Sequence, residues 1–226
     1  MKSLPIYETF HTWQGEGIHM GRAAFFIRTY GCPVHCPWCD SAGTWHKDWV
    51  PETILRVAPD VLAESAKATG ASITVITGGE PAIHDLTDLT TALNGHSIKV
   101  HLETSGAFYL RGKIDWITVS PKWDAEPKDE NVAKADELKL IVEEPGSIER
   151  WWAVLAPNYN GCPVWLHPEW TQRENILVLN AINEAVKTFP QRYRAGYQLH
   201  KLYNVDNLDP NAKPLTPIGG RRDLGF

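Results

Sequence analysis

The sequence predicts an α/β fold, a partial and open parallel barrel of about six strands. Three observations predict it. Apolar runs of strand length recur along the chain, and one after another ends in a small cluster of glycine or polar residues. Helical patterns fall between these runs, the alternation that gives parallel pairing. Convincing strand–helix units are too few for a closed ring of eight. Such a fold carries its chemistry on the loops beyond the C-terminal strand ends.

The elements follow in order. Residues 5–21 contain Gln14-Gly15-Glu16-Gly17, a polar turn bracketed by glycines. Glycine lets backbone approach a ligand, and Gln14 and Glu16 offer an amide and a carboxylate to a polar heterocycle; an ordinary hairpin loop is the competing reading. Residues 23–30 read as a buried strand interrupted by the charge of Arg28. A buried arginine needs a partner, either a core carboxylate or an anionic ligand that fits its fork. Residues 51–69 read as helical, with Pro59 breaking the run in two. Residues 72–77 form a strand ending in Gly78-Gly79-Glu80-Pro81. A helix over 85–93 leads to a strand over 98–102, which ends in Glu103-Thr104-Ser105-Gly106. The strand over 115–119 ends in Ser120-Pro121-Lys122, and another covers 137–142. Ser147 is placed to cap a helix over 148–155. The strand over 162–166 ends in His167-Pro168-Glu169-Trp170. Residues 173–189 give the longest helical pattern, with Ile176, Leu179, Val186 and Phe189 as core. Residues 193–199 form the last strand, ending in His200-Lys201. A single domain over 1–226 is expected, with an extended tail from about residue 203, rich in Pro, Gly and Asn.

The most chemical stretch is Cys32-Pro33-Val34-His35-Cys36-Pro37-Trp38-Cys39, directly after the strand over 23–30. Its spacing is C-x3-C-x2-C. Three thiolates on one loop can hold three irons of a [4Fe–4S] cube, which ordinarily takes four cysteines. The open iron would accept a small molecule. Zinc is the competing reading, with His35 or His46 as fourth ligand. Asp40-Ser41 follows at once and offers oxygen to a hard cation such as Mg²⁺. The remaining cysteine, Cys162, reads as core, and the acidic stretch over 124–137 as a solvated linker and helix face.

Composition narrows the rest. The chain has 226 residues and a formal net charge of -5. That size supports a sizeable core, and the charge argues against a nucleic-acid surface. No apolar run is long enough to span a bilayer, and the N-terminus has no signal-peptide pattern. Clustered cysteines without a disulfide framework point to a reduced, cytoplasmic setting. Ten tryptophans suggest aromatic pocket walls as well as core.

The cysteine spacing, with Trp38 before the last cysteine, resembles the signature of the radical S-adenosylmethionine (radical SAM) superfamily. Gln14-Gly15-Glu16-Gly17, Arg28, the cysteine loop, Gly78-Gly79-Glu80-Pro81, Glu103-Thr104-Ser105-Gly106, Ser120-Pro121-Lys122 and Gln198-Leu199-His200-Lys201 occur in order. With them, the chain resembles the 7-carboxy-7-deazaguanine synthase family over residues 6–201. The resemblance implies a (β6/α3)-like partial TIM barrel of the radical SAM type. It implies contraction of 6-carboxy-5,6,7,8-tetrahydropterin to 7-carboxy-7-deazaguanine with loss of ammonia, in queuosine-type 7-deazapurine biosynthesis. Implied cofactors are a [4Fe–4S] cluster, S-adenosylmethionine and Mg²⁺. By position, Cys32, Cys36 and Cys39 would hold the cluster, and Ser41 the magnesium, where most of the family has threonine. Gly79, Ser120, Pro121, Lys122, His167, Pro168, Glu169 and Trp170 would contact S-adenosylmethionine; many relatives read Gln-Pro at 167–168. Trp13, Gln14, Gly15, Arg28 and Thr77 would contact the pterin. A flavodoxin or ferredoxin donor and a homodimer are the family expectation, with no nucleic acid and no membrane. Two alternatives share the cysteines: an activase of a glycyl radical enzyme, and a non-catalytic zinc module.

Overall fold

The computed structural model describes residues 2–203. The expected tail beyond Tyr203, with Phe226, lies outside the described residues. The strands are β1 (Leu4–Trp13), β2 (Ala23–Thr29), β3 (Leu55–Val57), β4 (Ile73–Gly78), β5 (Lys99–Thr104), β6 (Trp116–Val119), β7 (Glu137–Val142), β8 (Val164–Pro168) and β9 (Tyr193–Ala195). The helices are α1 (Pro59–Ala68), α2 (Thr87–Gly95), α3 (Asp129–Lys134), α4 (Ser147–Leu155), α5 (Ile176–Thr188) and α6 (Leu199–Leu202). All nine strands form one open sheet in the order β3-β1-β2-β4-β5-β6-β7-β8-β9. From β2 onward along that order every pairing is parallel; β1 pairs antiparallel with both β2 and β3.

The expected count of about six strands is therefore corrected to nine, in a sheet that is not closed. Two of the additional strands are β1, whose alternate positions Leu4, Ile6, Glu8 and Phe10 are buried, and the three-residue β3. Pro59 does not break a helix. It opens α1 at its first turn, where its missing N–H costs nothing. Ser147 does not cap α4: it is the first residue of that helix, and its hydroxyl accepts from Glu144 N at 3.2 Å. The cap of α5 is Asn175, whose Oδ1 accepts from Leu177 N at 3.0 Å. With the helix in that phase, Val178 and Ile182 face the core, while Ile176 and Phe189 are exposed. The last strand stops at Ala195, and α6 replaces its expected end.

The two larger of three apolar clusters back the sheet. Ile27, Ile76 and Leu102 pack with Leu62 of α1 and Leu89 of α2. Leu138, Leu140 and Leu166 pack with Trp151 of α4 and Ile182 of α5. Each fully buried aliphatic side chain contributes roughly 1.5–3 kcal/mol. Because side chains alternate along a strand, these residues leave the intervening ones on the opposite face. There the register brings Glu8 beside Arg28 and Arg28 beside Thr77. It likewise aligns Glu103 with Thr118, and Thr118 with Glu137. The polar residues of separate strands thus meet on one face of the sheet.

Candidate active site

A cavity of about 230 Å³ opens on that face, at the C-terminal ends of β2, β4, β5, β6 and β7. The cysteine loop forms one wall. Its approach to β4 depends on glycine. A Cβ on Gly79 would stand 2.2 Å from Gly31 O and 2.9 Å from Cys32 Cβ. The gap is instead closed by Gly79 N donating to Thr29 O at 3.1 Å and Glu80 N to Gly31 O at 2.9 Å. Cys32, Cys36 and Cys39 all line the cavity. Burial pushes the Cys36 thiol up to about 11 and the Cys39 thiol up to about 12, and also raises Cys32. Ser41 N and Trp45 Nε1 both donate to Cys39 Sγ at 3.4 Å. Lys122 lines the same wall, 5.3 Å from the Trp38 ring centroid, and donates to Ser120 Oγ at 2.7 Å. Burial lowers its pKa.

The remaining wall is charged and paired within itself. Arg28 Nε meets Glu8 Oε1 at 2.7 Å, and its Nη1 donates to Ser41 Oγ at 2.8 Å. Of the two alternatives for Arg28, the core carboxylate is present, and the side chain also lines the cavity. Lys139 donates to Glu16 and, at 2.7 Å, to Glu103. Gln14 Nε2 donates to Glu103 Oε1 at 3.1 Å, and Gln14 Oε1 accepts from Glu16 N at 3.2 Å. Burial works to raise the Glu16 carboxyl, but the Lys139 ammonium outweighs it and holds it far below the carboxylate range. Burial wins at Glu103, whose pKa is raised. Burial would lower Lys139, but the two carboxylates hold it above its ordinary value. A third pair, Lys201 with Asp40 at 3.0 Å, fastens α6 to the residue after Cys39.

Glu137 corrects the reading of residues 124–137 as solvated. It is 3% exposed and accepts from Ile18 N, Thr118 Oγ1 and Trp165 Nε1 at 2.9–3.0 Å. This anchors the β1–β2 loop across the open sheet, so that Gln14 and Glu16 reach the cavity.

Of the residues expected at the site, the structure brings Trp13, Gln14, Gly15, Arg28, Ser41, Thr77, Gly79, Ser120, Lys122, Glu169 and Trp170 around the cavity with the cysteines. Pro121, His167 and Pro168 are not in its lining. His167 is fully buried, and a Cβ on Gly196 would stand 2.3 Å from its Nε2. Glu8, Glu103, Lys139 and Lys201 received no role from the sequence, and Asp40, offered there as an oxygen donor to a hard cation, pairs with Lys201. A signal existed for Lys139, since it sits two residues from Glu137 on a strand whose other face is wholly apolar.

The donor set suits an iron–sulfur cube. Its thiols share one cavity wall, meet N–H donors, and carry no negative charge until a cation binds. Among the described residues, no three or more His, Cys, Asp or Glu side chains converge as ligands of a single ion. A cube takes one thiolate per iron, so its ligands need no common point.

Curated relatives match the chain over most of its length. A 7-carboxy-7-deazaguanine synthase of Synechocystis is 40% identical over 207 residues, covering 90% of this chain and 94% of the relative. The chain belongs to the 7-carboxy-7-deazaguanine synthase family. A Flavobacterium psychrophilum synthase is 37% identical, with 89% and 92% covered. The crystal structure of QueE from Escherichia coli superposes with a TM-score of 0.73 at 31% identity, over 88% of this chain and 95% of that one. No family model matches the chain.

Proposed function

We propose that this chain is a radical SAM lyase. It converts 6-carboxy-5,6,7,8-tetrahydropterin to 7-carboxy-7-deazaguanine with loss of ammonia, in queuosine-type 7-deazapurine biosynthesis. The observation that carries the reading is one cavity with a wall of three cysteines and a facing wall of buried, paired charges. Cys32, Cys36 and Cys39 would hold a [4Fe–4S] cluster. Gly79, Ser120, Lys122, Glu169 and Trp170 would hold S-adenosylmethionine. When bound, these two groups supply one-electron reductive cleavage and the hydrogen abstraction that opens the ring rearrangement.

The chain's own residues bind and orient. Arg28 is held by Glu8, so its guanidinium is fixed before substrate arrives, and its fork matches the pterin carboxylate. Gln14, tied to Glu103 and to its own loop, presents an amide to the heterocycle, and Trp13, Gly15 and Thr77 line the cavity about it. The Ser41 hydroxyl accepts from Arg28 and donates to Asp40 at 3.3 Å, which leaves one lone pair for Mg²⁺. We take the open sheet as a partial barrel of the radical SAM type in a single domain. A flavodoxin or ferredoxin donor, a homodimer and a cytoplasmic setting complete the proposal. Anaerobic incubation of cluster-loaded protein with the pterin, S-adenosylmethionine and a reductant tests it through the ultraviolet absorbance of the product. Loaded protein that leaves the pterin unchanged would overturn it.

A further inference from the structure

We propose that Trp45 sets the reduction potential of the cluster through an N–H···S hydrogen bond to Cys39, an inference that rests on reading Cys32, Cys36 and Cys39 as the cluster ligands. Trp45 Nε1 lies 3.4 Å from Cys39 Sγ. The indole is held in that place from several sides. Its ring stacks on His35 with centroids 4.2 Å apart and planes 16° apart. The edge of His46 meets it at 5.2 Å. Its backbone closes a short turn over Ala42–Thr44, with Trp45 N donating to Ala42 O at 3.0 Å. That turn is pressed against β1, since a Cβ on Gly43 would stand 2.2 Å from the Tyr7 hydroxyl oxygen. His35 itself holds a left-handed φ of 56°, which turns the loop so that its ring lies on the indole.

The donor acts on the charge that reduction creates. The [4Fe–4S]²⁺ cluster takes one electron from an external one-electron donor and becomes [4Fe–4S]¹⁺, with no bond formed and no proton required. An N–H aimed at a ligating sulfur stabilises the more negative, reduced form, and hydrogen bonds to the sulfurs are among the factors that set cluster potentials. Asp40, one residue beyond Cys39, works in the opposite sense, since its carboxylate adds negative charge beside the same sulfur. Cys32 and Cys36 are met by backbone N–H groups. The indole N–H is thus a contribution to the cluster that a side-chain substitution can remove.

The test compares the full-length wild-type protein with Trp45→Phe. Both are loaded anaerobically and titrated with dithionite and mediators without S-adenosylmethionine, and the reduced cluster is counted by electron paramagnetic resonance. At a fixed potential near the wild-type midpoint, the ratio of reduced to oxidised cluster should fall about tenfold in the variant, equivalent to about 59 mV for a one-electron couple. Ratios within twofold of each other, in two proteins of equal iron content, would overturn the role of Trp45 and leave the cluster assignment standing. Wild-type protein that takes up no iron would overturn both. If Trp45→Phe does not hold the cluster, 3-benzothienylalanine at position 45 decides. It keeps the bicyclic shape with sulfur in place of N–H, and should give the same tenfold fall.

Discussion

The two walls of the cavity handle buried polarity in opposite ways. The cysteine wall holds three neutral thiols whose pKa values burial raises, to about 11 at Cys36 and about 12 at Cys39. The other wall is charged and already balanced, with Arg28 on Glu8, Lys139 between Glu16 and Glu103, and Lys201 on Asp40. Buried charges persist only with partners. The charged wall is therefore complete in the chain alone. The thiol wall becomes complete only when a cationic group draws off its protons. One wall is shaped for a cofactor and the other is set in advance for a substrate.

The largest way to break this contrast is Cys36→Ala. Iron content and turnover should vanish, while the unfolding midpoint of the metal-free protein stays within about 1 kcal/mol of wild type, as for a small non-ionised side chain. Product formation by that variant would contradict the thiol wall. Lys139→Met should do the reverse. It strands two buried carboxylates and should cost about 3–5 kcal/mol in urea unfolding of the metal-free protein. A loss below about 1 kcal/mol would mean that the charged wall is not a balanced unit.

Acid sharpens the contrast further. His167 is fully buried, and burial lowers its pKa to about 4 from the ordinary 6.5. Between these values the unfolded chain binds a proton that the folded chain refuses. Stability should thus be full above pH 6.5 and fall progressively toward pH 4, by on the order of 3 kcal/mol. Glu16 and Asp40, held low by their cations, add a further loss as pH drops below the ordinary carboxylate range. Thermal melts of wild type and His167→Gln across pH 7 to 4 check the first part. The variant should lose about half of the slope, since burial also lowers His101 to about 4, and a variant slope equal to wild type would refute the neutral burial of His167. The smallest effect is expected of Arg28→Lys, which keeps the charge and loses the fork. KM for the pterin should rise about tenfold, or about 1.4 kcal/mol, with iron content unchanged.

The same contrast explains what was legible in the sequence. The thiol wall is local: its three cysteines lie within one loop, and the Gly78-Gly79 turn that cradles it ends a recognisable strand. The charged wall is assembled across the sheet. Lys139 and Glu16 are 123 residues apart, and Arg28 and Glu8 are 20 apart. Strand register puts Arg28 beside Glu8, and the Glu137 anchor of the β1–β2 loop brings Glu16 to Lys139, so nothing in the local pattern of either residue names the other. Glu137 was misread for a related reason. It closes an acidic stretch in sequence, yet as the first residue of β7 its side chain falls on the inner face. His167 follows the expected motif, but its ring is buried against Gly196 rather than in the cavity lining. The strand count fell short because β1 was read for its polar turn and β3 is three residues long.

The central claim is that Cys32, Cys36 and Cys39 cage a cluster beside a pocket for a bicyclic acid. Iron and acid-labile sulfide analysis of anaerobically reconstituted protein, followed in the same sample by incubation with the pterin, tests it most directly. The account predicts a brown protein with iron and sulfide in equal amounts that releases 7-carboxy-7-deazaguanine. Colourless protein that cannot be loaded, or loaded protein that leaves the pterin intact, would contradict it.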